Sequence, residues 1–421
     1  MATSAINPAA ISSITAEGEK IPRVALITDS FYEVNGVARV SREFAAYARD
    51  HDLPMLSIHA GDRSSRSQDG SVTTIEFPRS PVRMALDGNL AFDFLISRYA
   101  DSISQAITDF GADLIHITGP GDFGLVAAYL SHKLHIPLFA SWHTNLHEYA
   151  GRRLALITRF LPSRFSARLC DAASRHALYW LLKFHQIPRV IFAPNGDLVS
   201  LIHQRVRRET HLMPHGVDTD LFSPERRTSN SEMFTLGYVG RLTPEKNVRL
   251  LADIESKLLA SGCGPFRFLV VGDGLERGWL KDNLKTAEFT GFLSGLDLAR
   301  AYADMDLLIF PSETETFGLV VIEAMASGVP VAVSNVGGPK YQVRHGIDGF
   351  VAQDVDCYVA AARHLMGDHD ALTDMREAAR DACDCRTWAH TFEELYCRYA
   401  LWLASPDHER YVNHQPALPS N

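Results

Sequence analysis

The stretch LLIFPSETETFGLVVIEAMASGVPVAVSN, residues 307–335, predicts a strand, a crossover helix and a second strand. The apolar run LLIF ends before Pro311, a helical segment begins near Gly318, and the β-branched run VAVSN closes the stretch. A helix between two strands provides the crossover connection that a parallel pair needs. The stretch therefore indicates a parallel α/β sheet.

The same alternation of short β-branched runs and amphipathic segments occurs on both sides of this stretch. In the first half of the chain the runs are VALIT (24–28), LIHIT (114–118), PLFAS (137–141) and VIFAP (190–194). The second series comprises TLGYVG (235–240), FRFLVVG (266–272), EFTGF (288–292), LLIFP (307–311), VAVSN (331–335) and GFVAQ (349–353). Two such series predict two open α/β sheets.

The polar stretch SPERRTSNSE, residues 223–232, interrupts the alternation and marks a domain boundary. Two doubly wound sheets that face each other form a cleft at the carboxyl ends of their strands, where such sheets bind ligands. The predicted organisation is a flexible tail (1–21), a first Rossmann-like domain (22–225), a second Rossmann-like domain (226–386), a helix that could pack back across the domain junction (387–404) and a polar tail (405–421).

The composition is that of a globular protein with more than one domain. The 421 residues are 46% hydrophobic and 22% charged, and roughly 150 residues per domain gives two or three domains. The net charge of −9 argues against general nucleic-acid binding, which needs a basic surface. We expect a cytoplasmic protein, because there is no signal peptide and no spanning apolar stretch, and the six cysteines are sparse.

Two glutamates flank the start of the helix that follows the strand LLIF. Glu315 precedes Phe317 and Gly318, and Glu323 lies within the helix. Free backbone N–H groups at that helix start would face an anionic or hydroxyl-rich ligand. Taken alone, the two glutamates would favour a helix-start charge and a solvated face over a binding site, because acidic residues are common near helix starts.

Glycine-containing turns follow other predicted strands. The segment GYVGRLTPEKN places two cations, Arg241 and Lys246, where they can converge on a diphosphate. In VGDGLE, Gly272 and Gly274 lack side chains, which lets a base or ribose approach the backbone. In SFYEVNGVARV, Gly36 either permits close contact with a phosphate or forms an ordinary strand–helix turn.

Together these segments resemble the retaining glycosyltransferases of family four, from about residue 23 to about residue 403. The most specific of them are GRLTPEKN, VGDG, PSETETFG with EAMASGVPV, and SNVGG. The resemblance implies the GT-B fold, with the acceptor mainly on the first of two facing Rossmann-like domains and a nucleotide-sugar donor mainly on the second. It also implies that Arg241 and Lys246 hold the donor diphosphate and that Glu323 binds the ribose hydroxyls.

The resemblance assigns further residues to the transferred sugar. Glu315 and the backbone at Phe317 and Gly318 would bind its hydroxyls, and His143, in SWHTNLHEYA, would approach it from the first domain. For His143 the alternative is a hydrogen-bonded residue at a strand end. Thr316 departs from the family pattern, in which a glycine often follows the first glutamate.

No metal or other cofactor is expected. A departing nucleoside diphosphate gathers negative charge, which fixed Arg and Lys side chains stabilise without a metal. The D-x-D segments at 218–220 and 304–306 are predicted to be structural, since one lies in a loop and the other leads into a buried strand. Cys383 and Cys385, with His390 nearby, lack the second pair of ligands that structural zinc uses.

A basic stretch contrasts with the acidic chain. Residues 151–190 contain eight Lys or Arg residues and one acidic residue, Asp171. These cations could meet anionic lipid headgroups, or they could form a solvated helix face. They are interleaved with large apolar residues: Leu161, Phe165, Trp180 and Phe184.

The sequence thus predicts a retaining glycosyltransferase that moves a hexose from a nucleoside-diphosphate sugar to a lipid or glycan acceptor, with mannose slightly favoured. Two alternatives stay open: a sugar-nucleotide epimerase of the same fold, and a noncatalytic sugar-nucleotide-binding protein. With a lipid acceptor, the protein would contact the inner face of the membrane through residues 151–190.

Overall fold

The computed structural model describes residues 20–81, 83–87, 90–93, 95–143, 163–228 and 233–413. The chain divides into two compact units. The first unit contains the described residues up to Met213 together with those from Trp388 onward, and the second is Pro214–Thr387. The chain therefore passes between the units twice.

The strands alternate with helices along both units. The strands are β1 (Val24–Thr28), β2 (Met55–Gly61), β3 (Ser65–Asp69), β4 (Val72–Pro78), β5 (Arg83–Asp87), β6 (Leu90–Asp93), β7 (Leu114–Ile117), β8 (Leu138–Ser141), β9 (Val190–Ala193), β10 (Glu209–Leu212), β11 (Phe234–Val239), β12 (Phe266–Val271), β13 (Ala287–Gly291), β14 (Leu307–Phe310), β15 (Val331–Ser334) and β16 (Gly349–Ala352).

The α-helices follow the same order along the chain. They are α1 (Gly36–Asp50), α2 (Ala100–Phe110), α3 (Asp122–Leu134), α4 (Ser163–Phe184), α5 (Gly196–Val206), α6 (Leu250–Ser261), α7 (Arg277–Asn283), α8 (Gly295–Ala303), α9 (Leu319–Ala326), α10 (Val355–Gly367), α11 (His369–Asp381), α12 (Trp388–Leu403) and α13 (Pro406–Asn413). Short 3₁₀ turns lie at Ile96–Tyr99, Pro224–Arg226, Pro244–Lys246 and Pro339–Gln342.

The first unit is built on a sheet with the strand order β10-β9-β8-β7-β1-β2-β4-β3. Its strand pairs are parallel except β3 with β4, which is antiparallel. The strands β5 and β6 form a separate antiparallel pair. The helix α1 begins at an asparagine cap, because Oδ1 of Asn35 accepts a hydrogen bond from the N–H of Ala38 over 2.8 Å.

The second unit is built on an entirely parallel sheet with the order β13-β12-β11-β14-β15-β16. The predicted strand–helix–strand stretch is present as β14, α9 and β15, and Leu308 pairs with Val331. Apolar residues on both faces of this sheet form one large core. The prediction of two parallel α/β sheets is confirmed.

The unit boundaries differ from the predicted domain boundaries. Residues 214–225, predicted in the first domain, belong to the second unit because the N–H of Val217 donates to the carbonyl oxygen of Arg386 over 2.8 Å. The helix α12, predicted at 387–404, belongs to the first unit. Its Phe392 ring stacks on Phe44 of α1 with centroids 4.8 Å apart.

No helix in the described part of the chain is both long and apolar enough to cross a bilayer.

Candidate functional site

Glycine turns follow β11 and β12, at the sheet edge where open α/β sheets bind ligands. Gly240 has a φ of +149°, and Gly272 has a φ of +134°. A Cβ atom on Gly272 would lie 1.9 Å from the carbonyl oxygen of Gly240, and one on Gly274 would lie 2.4 Å from that of Leu242. The two turns pack backbone against backbone, so Gly272 and Gly274 tolerate no side chain.

A third turn precedes helix α9. Gly318 caps this helix with a φ of +91°, and the ring of Phe317 is buried against His215 with centroids 4.6 Å apart. The N-terminal backbone of α9 therefore starts from a turn whose aromatic side chain points into the protein. The sequence predicted this turn but not its contact with His215.

The SNVGG segment fixes the residues before that turn. The N–H of Gly338 donates to the carbonyl oxygen of Glu315 over 2.7 Å. A Cβ atom on Gly338 would lie 1.9 Å from the carbonyl oxygen of Thr316, so the two segments approach through bare backbone. Thr316 is buried here, and the turn accommodates it in place of the glycine that is frequent in the family.

Lys246 and Glu315 form an ion pair between their Nζ and Oε1 atoms, although they are far apart in the chain. Only 10% of the Lys246 side chain and 27% of the Glu315 side chain are exposed. Nη2 of Arg241 lies 3.5 Å from Oε1 of Glu245. The 3₁₀ turn Pro244–Lys246 joins the two pairs. The structure thus brings the predicted sugar-binding carboxylate to a predicted diphosphate cation.

Tyr238 lies among these charges. Its hydroxyl donates to the carbonyl oxygen of Arg241 over 3.0 Å. Burial raises the pKa of Tyr238, the charges of Glu315 and Glu245 raise it further, and the charge of Arg241 opposes them. The phenol of Tyr238 therefore stays protonated and neutral.

Glu323 lies in α9, where 4% of the residue is exposed. Its Oε2 accepts a hydrogen bond from the hydroxyl of Tyr302 over 2.7 Å. This hydrogen bond from Tyr302, on α8, orients the Glu323 carboxylate. The sequence analysis did not single out Tyr302. Contact of the Glu323 carboxylate with ribose hydroxyls stays a prediction.

The two D-x-D segments have protein partners. Both oxygens of Asp306 are used, since Arg227 donates to Oδ1 over 2.9 Å and the N–H of Thr235 donates to Oδ2 over 2.7 Å. Asp304 accepts from the N–H of Thr228 over 2.7 Å, and Asp218 caps its own turn by accepting from the N–H of Leu221 over 2.9 Å.

Cys383 is buried, whereas Cys385 is exposed. Burial raises the pKa of Cys383 to about 12, so it remains a thiol. In the part of the chain that the structure describes, no three His, Cys, Asp or Glu side chains come together as metal ligands would.

In the first unit, the loop after β1 leads to Gly36, the exposed first residue of α1. Asp29, which directly follows β1, lies beside Asp122, the first residue of α3, and the N–H of Phe123 donates to Oδ1 of Asp29 over 2.8 Å. Burial first, and Asp122 second, raise the pKa of Asp29 well above its usual range. The sequence analysis missed this pair, although an acidic residue directly after a predicted strand was a usable signal.

His143 follows β8 and is buried. Burial lowers its pKa to about 4, so its imidazole is neutral near pH 7. The nearby His116 was also missed by the sequence analysis. Nε2 of His116 lies 2.6 Å from Oγ of Ser141, and its Nδ1 lies 2.6 Å from the hydroxyl of Tyr399 on α12.

Part of the basic stretch is described. Arg168, Arg175 and Lys183 are exposed on α4, and Trp180 is exposed on the same helix. The guanidinium of Arg189 instead lies over the ring of Tyr411, 4.7 Å from its centroid. Phe184 packs on the core of the first unit. Four residues of the predicted basic stretch lie outside the described residues: Arg152, Arg153, Arg159 and Leu161. The side chains of Arg164 and Phe165 are likewise outside the description.

Comparison with known proteins covers both units. The family model described as Glycosyltransferase Family 4 matches residues 34–221, and that described as Glycosyl transferases group 1 matches residues 233–368. Sucrose-phosphate synthase from Thermosynechococcus elongatus has a similar structure, with a TM-score of 0.68 at 17% identity over 91% of this chain and 100% of that one.

Three relatives match most of the chain. A GDP-mannose-dependent alpha-mannosyltransferase from Corynebacterium glutamicum is 28% identical over 394 residues, which cover 91% of this chain and 89% of the relative. A protein of the same name from Mycolicibacterium smegmatis is 32% identical over 310 residues, 70% and 75% of the two chains. Sulfoquinovosyl transferase from Arabidopsis thaliana is 30% identical over 401 residues, 87% and 71%.

The two Rossmann-like units have the GT-B fold, and the family models and relatives that match them show a glycosyltransferase that uses a nucleotide sugar. The chain belongs to glycosyltransferase family 4. The prediction of a family-four glycosyltransferase is confirmed, and glycosyl transfer takes precedence over the epimerase and the noncatalytic binding protein.

Proposed function

We propose that this enzyme transfers mannose from GDP-mannose, with retention of configuration, to a lipid or glycan acceptor. The observation that carries the proposal is the meeting of Lys246 and Glu315 at the strand edge of the second unit. One residue type there suits a diphosphate and the other suits sugar hydroxyls. Two of the relatives described above are named for GDP-mannose and mannosyl transfer, which favours that donor.

On this proposal, Arg241 and Lys246 bind the diphosphate. As the bond between the sugar C1 and the phosphate oxygen breaks, negative charge grows on the leaving phosphate, and the two cations stabilise the transition state more than the bound donor. The backbone at Gly272 and Gly274 lets the nucleoside approach closely. Glu323, oriented by Tyr302, binds the ribose hydroxyls.

Glu315 and the backbone at Phe317 and Gly318 bind hydroxyls of the mannosyl group, and its developing positive charge is tolerated near the carboxylate. The acceptor oxygen bonds to C1 on the face that the phosphate leaves, and the acceptor proton passes to the leaving phosphate oxygen. The neutral imidazole of His143 hydrogen-bonds a hydroxyl of the same sugar. No metal is required for charge balance at the leaving group.

The acceptor is the least specified part of the proposal. Exposed Arg168, Arg175 and Lys183 on α4 support contact with anionic lipid headgroups, because basic amphipathic helices bind such surfaces. Exposed Trp180 on the same helix suits the membrane interface. A lipid acceptor would place the enzyme on the cytoplasmic face of a membrane.

The test is a donor panel of GDP-mannose, GDP-glucose, UDP-glucose and UDP-galactose with a membrane lipid extract and free mannose as acceptors. We expect GDP release and a product heavier by one hexose with GDP-mannose alone, and an α-linkage by NMR. A product formed only from a UDP-sugar would overturn the donor assignment. Conversion of the donor sugar without any acceptor would favour the epimerase.

A further inference from the structure

The two cations predicted to bind the donor diphosphate are each paired with a carboxylate of the same unit. Lys246 pairs with Glu315, and Arg241 lies 3.5 Å from Glu245. The hydroxyl of Thr243 donates to Oε1 of Glu245 over 2.6 Å. With 20% of its side chain exposed, Glu245 is a fixed and partly buried charge.

We propose that Glu245 and Glu315 are internal counterions that compete with the nucleoside diphosphate for Arg241 and Lys246, and that this competition speeds release of the product. The inference rests on the proposed function, since it takes the diphosphate to bind these two cations. It adds a role for Glu245, which lies in the GRLTPEKN segment beside both cations.

The charges explain the effect. Two cations and two carboxylates sum to zero before a nucleotide binds, and any phosphate that reaches Lys246 must share it with Glu315 or displace that carboxylate. Partly buried charges interact more strongly than charges in water, so the carboxylates repel a bound diphosphate.

The repulsion acts more on the product than on the donor. The donor diphosphate is esterified at both ends, whereas the released nucleoside diphosphate has a terminal phosphate that can carry one more negative charge. Two cations without counterions would hold that product more tightly than the donor. Glu245 and Glu315 oppose this tight binding of the product when they pair with the two cations again. Release of product often limits enzyme turnover, so the effect can reach kcat.

The first test measures GDP binding by isothermal titration calorimetry. Glu245→Gln keeps the shape of the side chain and an acceptor for Thr243, but removes one negative charge. We expect about tenfold tighter GDP binding and a steeper loss of affinity with added salt. UDP, run in parallel as a second probe, should show the same relative tightening because the diphosphate is common to both.

The matched control is Glu288→Gln, which removes the same charge from the same unit. Glu288 pairs with Arg267 over 3.2 Å near the start of its strand, away from the carboxyl edge. We expect no change in GDP affinity for this variant. Unchanged or weaker binding by Glu245→Gln, or equal tightening by both variants, would overturn the inference.

Kinetics provide a second readout. Stopped-flow displacement of GDP should be about tenfold slower for Glu245→Gln, and the KM for GDP-mannose should fall together with kcat. Glu315→Gln should also tighten GDP binding while it abolishes transfer, because the mannosyl contact is lost. Faster GDP release from either variant contradicts the inference.

Failure of the inference is distinguishable from failure of the proposed function. If Lys246→Ala leaves GDP binding at the native level, the diphosphate does not bind these cations and the proposed function loses its site. If Lys246→Ala loses GDP binding but Glu245→Gln does not gain it, only the counterion role is wrong.

Discussion

The hydroxyl of Tyr399 lies 2.6 Å from Nδ1 of His116, so the long helix near the end of the chain is hydrogen-bonded to a strand 283 residues earlier. Nε2 of the same imidazole lies 2.6 Å from Oγ of Ser141. A neutral imidazole offers one donor and one acceptor, so the two bonds run in one direction through the ring. These two hydrogen bonds connect α12 to β7 and β8. Ser141, at the end of β8, lies two residues before His143.

The first prediction concerns this contact. Tyr399→Phe removes a buried hydroxyl and leaves Nδ1 of His116 without that partner, which should lower the free energy of unfolding by about 1–3 kcal/mol. Urea denaturation followed by circular dichroism measures the change. Tyr179→Phe, on the exposed surface of α4, is the control and should change stability little. An equal change in the free energy of unfolding for both variants would show that the Tyr399–His116 hydrogen bond does not stabilise the fold.

The second prediction concerns the two cations that we propose bind the diphosphate. Arg241→Ala and Lys246→Ala each remove a charged hydrogen-bond donor, whose loss costs about 1.5–3 kcal/mol, or roughly ten- to hundredfold in kcat/KM for the donor. Initial rates of GDP release measure the effect. Lys257→Ala removes an exposed cation that pairs with Asp356 and should retain native turnover. Native rates in both Arg241→Ala and Lys246→Ala would show that the diphosphate does not bind at this position.

The third prediction concerns stability and pH. Burial lowers the pKa of His116 to about 3 and the pKa values of His143 and His185 to about 4, against 6.5 for an ordinary histidine. Between about pH 6.5 and 4 the unfolded chain therefore binds protons that the folded chain does not, and stability falls as the pH falls. Above about pH 6.5 their contribution is complete.

Urea denaturation at pH 7, 6 and 5 measures this dependence. Each such histidine adds up to about 1.4 kcal/mol of lost stability per pH unit in the window. His185→Asn should reduce the slope, whereas His364→Asn, at an exposed position, should leave it unchanged. Equal slopes for wild type and His185→Asn would contradict the buried, neutral state of His185.

The fourth prediction is that transfer survives chelation. On the proposed function, the positive charges of Arg241 and Lys246 stabilise the leaving phosphate without a divalent ion. Turnover measured before and after incubation with EDTA should therefore be the same. Loss of turnover that manganese or magnesium restores would instead direct attention to the carboxylates at 218–220 and 304–306.

The fifth prediction concerns the membrane. Each basic residue near an anionic surface contributes about 1 kcal/mol of attraction, so native protein should float with anionic vesicles and less with neutral ones or in high salt. A triple alanine variant of Arg168, Arg175 and Lys183 should bind less. A matched variant of Lys257, Lys281 and Lys285 should bind as the native protein does. Absence of vesicle binding would favour a soluble glycan acceptor.

The strands that carry the site could be predicted from local sequence. β-branched runs such as VALIT and VAVSN are followed by glycine or polar turns, and both lie in the structure where the pattern indicated. The strands β2 and β4 were not predicted from the sequence. Their sequences, MLSIHAG and VTTIEFP, mix apolar residues with Ser, His, Thr and Glu. Their place in the sheet depends on pairing with β1 and with each other.

The position of the candidate site in the second unit was largely determined by the sequence itself, because glycine turns and charged residues directly after parallel strands must meet at one edge of the sheet. Arg241, Lys246 and Glu315 could be placed near that edge for this reason, and the resemblance to family four implied their roles. Only the tertiary structure decided which of them pair. The Lys246–Glu315 contact, the buried Asp29 beside Asp122, and the Tyr399–His116 bond each join residues distant in the chain, and distance in space is set by how the helices and strands pack rather than by any local pattern.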